Sequence, residues 1–185
     1  MRKNLGAKAM LYPMPVLIIG SYDENGVPNA MNAAWGGISE ETEITICISA
    51  DHKTAKNIQK TGCFTVSPAD EENLVAADYV GIVSGNNVAD KVSKAGWTAI
   101  RSEFVNAPLF KELPFTLECN LKSFDEESCH LVGEIVNICV DEKIVTDGKI
   151  DLAKFRPLTF DPSSHEYFTL GDKAGKAFSD GKKLK

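Results

Sequence analysis

Glu43-Ile44-Thr45-Ile46-Cys47-Ile48-Ser49 alternates strictly, then runs into Ala50-Asp51-His52-Lys53-Thr54-Ala55-Lys56-Asn57-Ile58. Successive side chains of a strand point to opposite faces, so three isoleucines two residues apart share one face. The spacing predicts a half-buried strand over 43–49. A short helix follows at once over 52–61, with Ile58 inward and Gly62 as its stop. Asp51 and Thr54 are the candidate caps. Where a strand ends and a helix begins, free N–H groups, hydroxyls and one or two cations gather. That suits a phosphate monoester, and it also suits an ordinary capped helix, the reading that composition alone favours.

On the N-terminal side, Pro15–Tyr22 (PVLIIGSY) is a β-rich apolar run. Asn25-Gly26 predicts a tight hairpin turn, and 27–34 returns as the second strand. On the C-terminal side, 63–66 is strand-like. Ser67-Pro68-Ala69-Asp70 has the form of a helix start, with Ser67 as cap and Pro68 in the first helical position. That helix is expected to reach about Asp78, followed by a loop holding Gly81 and Gly85. Another short helix is expected over 90–95, ended by Gly96, with Trp97 as a hydrophobic plug or a dimer contact. Two longer β-rich runs, 113–124 and 128–141, are joined by Asp125-Glu126-Glu127, with a bulge expected near Asn137. Strands, then short helices, then strands do not alternate as βαβ units. The reading is mainly β: an antiparallel β-barrel with short peripheral helices, closed to remove free edges. Without repeats or a long linker, residues 1–185 read as one domain.

The 185 residues are 43% hydrophobic and 25% charged, which excludes disordered and collagen-like classes. Twenty Lys and Arg against 26 Asp and Glu leave a net charge of −6. A general nucleic-acid binder needs a basic face, so no nucleic-acid partner is expected. No apolar run approaches the roughly 20 residues of a membrane helix, and the N-terminus lacks a signal core. The expectation is a soluble, cytoplasmic protein without a membrane partner. Lys182, Lys183 and Lys185 read as a solvated basic end.

The five cysteines, 47, 63, 119, 129 and 139, are odd in number and widely spaced, with no CxxC. Cys47 and Cys139 stand between apolar residues, so the thiols read as small buried hydrophobes, with Cys63 or Cys129 open to a reactive role. His52, His130 and His165 are far apart in sequence, and no metal site is expected. There is no GxSxG, no phosphate-binding GxxxxGK[ST] and no GxGxxG. No side chain is assigned as a catalytic acid, base or nucleophile.

Four segments together resemble the flavin reductase-like, FMN-binding split-barrel family, the group that includes flavoredoxin. They are Asn29-Ala30-Met31-Asn32-Ala33-Ala34-Trp35 leading into Gly36-Gly37; Ser49…His52-Lys53-Thr54…Asn57-Ile58…Gly62-Cys63-Phe64-Thr65-Val66; Asp78-Tyr79…Gly81…Ser84-Gly85…Asp90-Lys91; and Tyr167-Phe168-Thr169-Leu170-Gly171 followed by Gly175 and Ala177. Their order and spacing span about residues 12–178. The resemblance implies an antiparallel FMN-binding split barrel that pairs as a homodimer, with FMN near the subunit interface. It implies that Asn32, Ala33, Ala34 and Trp35 run along the flavin ring through their backbone. Ser49 lies near the ribityl chain or phosphate, His52, Lys53 and Thr54 meet the phosphate, and Asn57 supports the turn. Ser84 belongs to the same site, and Lys91 supplies a cation to the phosphate or ring region. Tyr167 stacks near the ring or packs the C-terminal segment. His52 stands where many relatives carry Arg, which leaves the charge to Lys53 or Lys91; Asn32 stands where relatives often have Ser or Thr. The implied activity is electron transfer from NADH or NADPH through FMN to an acceptor. The alternatives are a flavoredoxin-like carrier fed by a redox protein partner, and a non-catalytic flavin- or heme-binding barrel.

Overall fold

Ile44, Ile46 and Ile48 are all buried in the computed structural model of the chain, on the face that their alternation predicts. The structure describes residues 1–184; Lys185, the last of the expected basic end, lies outside the described residues, and Lys182 and Lys183 are exposed. In chain order the strands are β1 (Met14–Pro15), β2 (Leu17–Tyr22), β3 (Pro28–Ala33), β4 (Gly36–Glu40), β5 (Glu43–Cys47), β6 (Cys63–Pro68), β7 (Ala99–Arg101), β8 (Pro108–Phe110), β9 (Phe115–Asp125), β10 (His130–Val140), β11 (Val145–Thr146), β12 (Lys149–Ile150), β13 (Leu158–Asp161) and β14 (Glu166–Thr169). The helices are α1 (Lys53–Thr61), α2 (Leu74–Ile82), α3 (Lys91–Lys94) and α4 (Leu152–Phe155).

Seven strands form one antiparallel sheet in the order β3-β2-β6-β9-β10-β5-β4, curled into a half-barrel. Its concave face holds Leu17, Ile19, Ile46, Phe64, Val66 and Leu131, closed by Ala55 and Ile58 of α1. On the opposite face Val16, Ile18 and Ala30 pack with Phe110 of β8 and Leu158 of β13 under α2, α3 and the three-stranded sheet β1-β13-β14. β2 is therefore covered on both sides, which is why its sequence is a continuous apolar run rather than an alternating one.

The first hairpin turns as its sequence directs. Gly26 has φ 75° and donates its N–H to Asp23 O at 3.0 Å, while Asp23 N meets Val27 O at 3.0 Å. This is a three-residue loop with glycine in the left-handed position. The long β9–β10 pair shifts register between Ile135 and Asn137, at the expected bulge. Trp97 is buried, tilted on Phe110 at 5.4 Å, and donates Nε1–H to Asn73 Oδ1 at 3.0 Å.

Several expectations are corrected. Ser67 and Pro68 do not start a helix; they end β6, paired with Ile18 and Leu17. Ser67 Oγ shares a 2.8 Å hydrogen bond with Thr116 Oγ1, so ladder and side-chain pairing on both flanks override a local cap signal. Asp70 is the cap instead, accepting from Asn73 N at 2.9 Å, and a 3-10 turn over Glu71–Asn73 leads into α2. α2 then runs past Asp78 and takes Gly81 into the helix. β4, β7, β8 and the C-terminal strands β11–β14 had no periodic signal strong enough to read. Cys139 is exposed, together with Ile138 and Val140, because β10 beyond its bulge forms the rim of the open side of the half-barrel. Cys63 is buried, and desolvation raises its thiol.

Gly133 on β10 marks a close approach. A Cβ there would lie 2.3 Å from Phe64 Cζ, inside the concave core. Gly133→Ala is expected to lower the urea unfolding free energy by about 1–3 kcal/mol, as overpacking does.

Candidate functional site

The N-terminus of α1 grows directly out of the β5 turn. His52 N donates to Ser49 O at 3.2 Å, and Lys56 N closes the first helical bond to His52 O at 3.2 Å. His52 occupies the cap position in an extended conformation, with no side-chain cap hydrogen bond. The expected caps do not act. Asp51 is exposed and offers only its carbonyl, to Asn86 Nδ2 at 3.3 Å, while Thr54 Oγ1 accepts from Asn29 Nδ2 at 2.7 Å. The first-turn N–H groups of α1 are thus left for another acceptor. Asn57 fixes the helix from below, donating Nδ2–H to Ser21 Oγ at 3.1 Å with both side chains buried.

Facing that helix end is the strap from α2 to α3, residues 83–90. Asn32 on β3 donates Nδ2–H to Ala77 O at 3.1 Å and docks α2 on the sheet. Gly81 permits the approach, since a Cβ there would come within 3.1 Å of Asn32 Cβ. Between α1, α2 and the strap lies a cleft of about 150 Å³. It is lined by Asn29, Met31, His52, Lys53, Thr54, Ser84, Lys91, Gly85 and the end of α2. No carboxylate lines it among the described residues.

The charge at its end is unusual. Lys91 is only 3% exposed, and no hydrogen bond or ion pair to its ammonium is present among the described residues. Burial alone pushes its amine down to about 8. Lys53 is partly engaged, 3.3 Å from Asp23 Oδ2. Desolvation would raise the Asp23 carboxyl, but the Val27 and Asn25 N–H groups and Lys53 hold it below its usual range. A cation that opens on the cleft with no partner among the described residues, a second half-committed one, free helix N–H groups and hydroxyls suit an anion.

His52, Lys53, Thr54, Ser84 and Lys91 are brought together in this cleft, with Asn57 beneath it. Asn32 stands behind its wall. Ala33 is buried in the concave core, Ala34 is half-buried, and Trp35 is 57% exposed with its carbonyl accepting Cys47 N at 2.8 Å. Ser49 is exposed at the turn before His52. Tyr167 does not line the cleft. It packs against Phe160 at 5.8 Å and donates its O–H to Asp78 Oδ1 at 2.9 Å, tying the C-terminal sheet to α2. Burial and that carboxylate push its phenol up to about 12. Asn29 and Met31, two residues of the first matching segment, also line the cleft.

A second recess of about 610 Å³ opens on the split side of the half-barrel, lined by Leu17, Ile38, Ile44, Phe115, Leu117 and Ile138 among others. No group of three His, Cys, Asp or Glu suited to a metal occurs among the described residues. No helix among them is long and apolar enough to cross a membrane.

Comparison with known proteins shows which family and fold this chain shares. A family profile described as flavin reductase like domain matches residues 9–166. The flavoredoxin of Desulfovibrio vulgaris (Miyazaki F) superposes with a TM-score of 0.93 at 38% identity, covering 98% of this chain and 100% of that one. The flavoredoxin of Methanosarcina acetivorans gives 0.87 at 28% identity, covering 100% and 98%. An uncharacterized protein of Halalkalibacterium halodurans is 28% identical over 162 residues, 80% of this chain and 77% of that protein.

Because Lys91 titrates near 8 when folded and near its ordinary 10.5 when unfolded, the unfolded chain binds more protons between those values. Its contribution to stability therefore rises with pH across that window. In ligand-free protein, Lys91→Met is expected to be more stable than wild type at pH 7, with the gap narrowing towards pH 10. Urea midpoints at the two pH values measure it.

Proposed function

This chain belongs to the flavin reductase-like family, and we propose that it binds FMN and passes electrons from NADH or NADPH through it to an acceptor. The observation that carries the reading is Lys91, a buried residue whose ammonium opens on the cleft with no partner and no cleft carboxylate among the described residues. A phosphate monoester supplies the missing counter-charge. Lys91 and Lys53 would hold it by charge, the α1 N–H groups and the Thr54 hydroxyl by hydrogen bonds, with His52 and Ser84 at the rim. The backbone of Asn32, Ala33, Ala34 and Trp35 is the edge proposed to run along the ring, with Ser49 nearer the ribityl chain. When bound, FMN supplies the hydride and one-electron chemistry, while the protein sets its position and electrostatics. No side chain is required as acid or base.

A second reading, a carrier reduced by a redox protein, is favoured by the likeness to the Desulfovibrio flavoredoxin at 38% identity over nearly the whole chain. The two separate kinetically. Fast, saturable oxidation of NADH or NADPH by FMN-loaded protein fits the reductase. Slow nicotinamide oxidation with rapid, salt-sensitive reduction by a protein donor fits the carrier. We further propose a homodimer closed over the apolar recess of the half-barrel, and, from five unpaired cysteines, a reducing cytoplasmic setting. Sedimentation of FMN-loaded protein as a monomer at micromolar concentration would contradict the dimer.

Lys91→Ala and Thr54→Ala are each expected to weaken FMN binding by roughly 10-fold or more, the worth of a hydrogen bond to a charged group. Wild-type affinity should fall as pH rises through about 8, where unliganded Lys91 loses its proton. Flavin fluorescence titration measures both; unchanged affinity in both variants rejects the phosphate assignment.

A further inference from the structure

We propose that Asn29 is a positioning residue that fixes the Thr54 hydroxyl as a donor into the cleft, and so sets the preference for a phosphorylated over an unphosphorylated flavin. This rests on the FMN reading. Asn29 is 5% exposed on β3, and Thr54 is 1% exposed in the first turn of α1. Asn29 Nδ2 donates to Thr54 Oγ1 at 2.7 Å. An amide nitrogen can only donate, so it occupies a lone pair of the hydroxyl and turns the hydroxyl proton away. Thr54 Oγ1 makes no second hydrogen bond among the described residues, and both side chains line the cleft. The proton is therefore left for a cleft ligand. The ammonium, the helix N–H groups and this hydroxyl then all present donors to the cleft.

Gly85 completes the arrangement. A Cβ there would lie 2.1 Å from Asn29 Oδ1, so glycine lets the strap lie directly over the amide and hold it in place. Asn86 Nδ2 on Asp51 O ties that strap to the α1 side of the cleft. An acceptor at position 29 would reverse the polarity: the Thr54 proton would turn back to it and leave a lone pair facing the phosphate.

The test is the ratio of FMN to riboflavin affinity, because riboflavin lacks the phosphate and is blind to the Thr54 proton. Wild type is expected to prefer FMN. Asn29→Leu should lower that ratio about five-fold and Asn29→Asp more than 10-fold, with riboflavin affinity unchanged. Asn29→Leu combined with Thr54→Val should fall no lower than Thr54→Val alone. Gly85→Ala, whose methyl displaces the same amide, should reproduce the Asn29→Leu ratio and serves where Asn29→Leu does not fold. Equal losses for FMN and riboflavin, or losses of Asn29→Leu and Thr54→Val that multiply, would overturn the proposal. Wild-type preference for FMN with an unchanged ratio in Asn29→Leu and Asn29→Asp removes this inference alone. A wild type without preference removes the phosphate reading with it.

Discussion

Lys91 is a buried residue whose ammonium opens on the cleft with no carboxylate beside it among the described residues, and partial desolvation lowers its amine to about 8. α1 presents uncapped N–H groups to the same space, and Thr54 is held by Asn29 rather than used as a cap. Local stability is given up at each of these positions. On the proposed reading, one anion of phosphate size and charge would satisfy all of them at once. A strongly perturbed lysine in a cleft is a common mark of a working site.

The half-barrel is what makes that gathering possible. β2 is buried on both faces, so β3 beside it is held rigidly, and its Asn29 and Asn32 meet α1 and α2 respectively. α1 closes the concave core through Ala55 and Ile58, so its N-terminus cannot drift without opening that core. α2 lies close on the sheet because position 81 is glycine, and the strap crosses over Asn29 because position 85 is. Tyr167, through Asp78, braces α2 from the far side. The cleft is thus fixed by packing on three elements, which is the preorganisation a cofactor site needs.

Much of this scaffold is legible in the sequence where local periodicity and turn chemistry agree. The alternating isoleucines of β5, the helix stop at Gly62, the hairpin at Gly26 and the bulge near Asn137 are all of that kind. Ser67 and Pro68 are not, because a helix-start pattern is local and the pairing with Ile18 and Leu17 that overrides it is not. β4 and β14 carry too few buried positions to impose a period. In the site, the α1 end was readable as a phosphate-suited turn from its residues. Lys91 was assigned to it through family resemblance alone, since nothing in Asp90-Lys91-Val92 distinguishes a buried lysine from a surface one. The donor pairing of Asn29 and Thr54, 25 residues apart, depends on the register of β3 against α1 and has no sequence signature.

The most direct measurement is the visible absorption spectrum of the purified protein, followed by acid release and identification of any chromophore. Flavin bands with FMN as the released species are the predicted result. A colourless protein that takes up no added FMN, or one that releases FAD or shows a heme spectrum, would contradict the account of the Lys91 cleft.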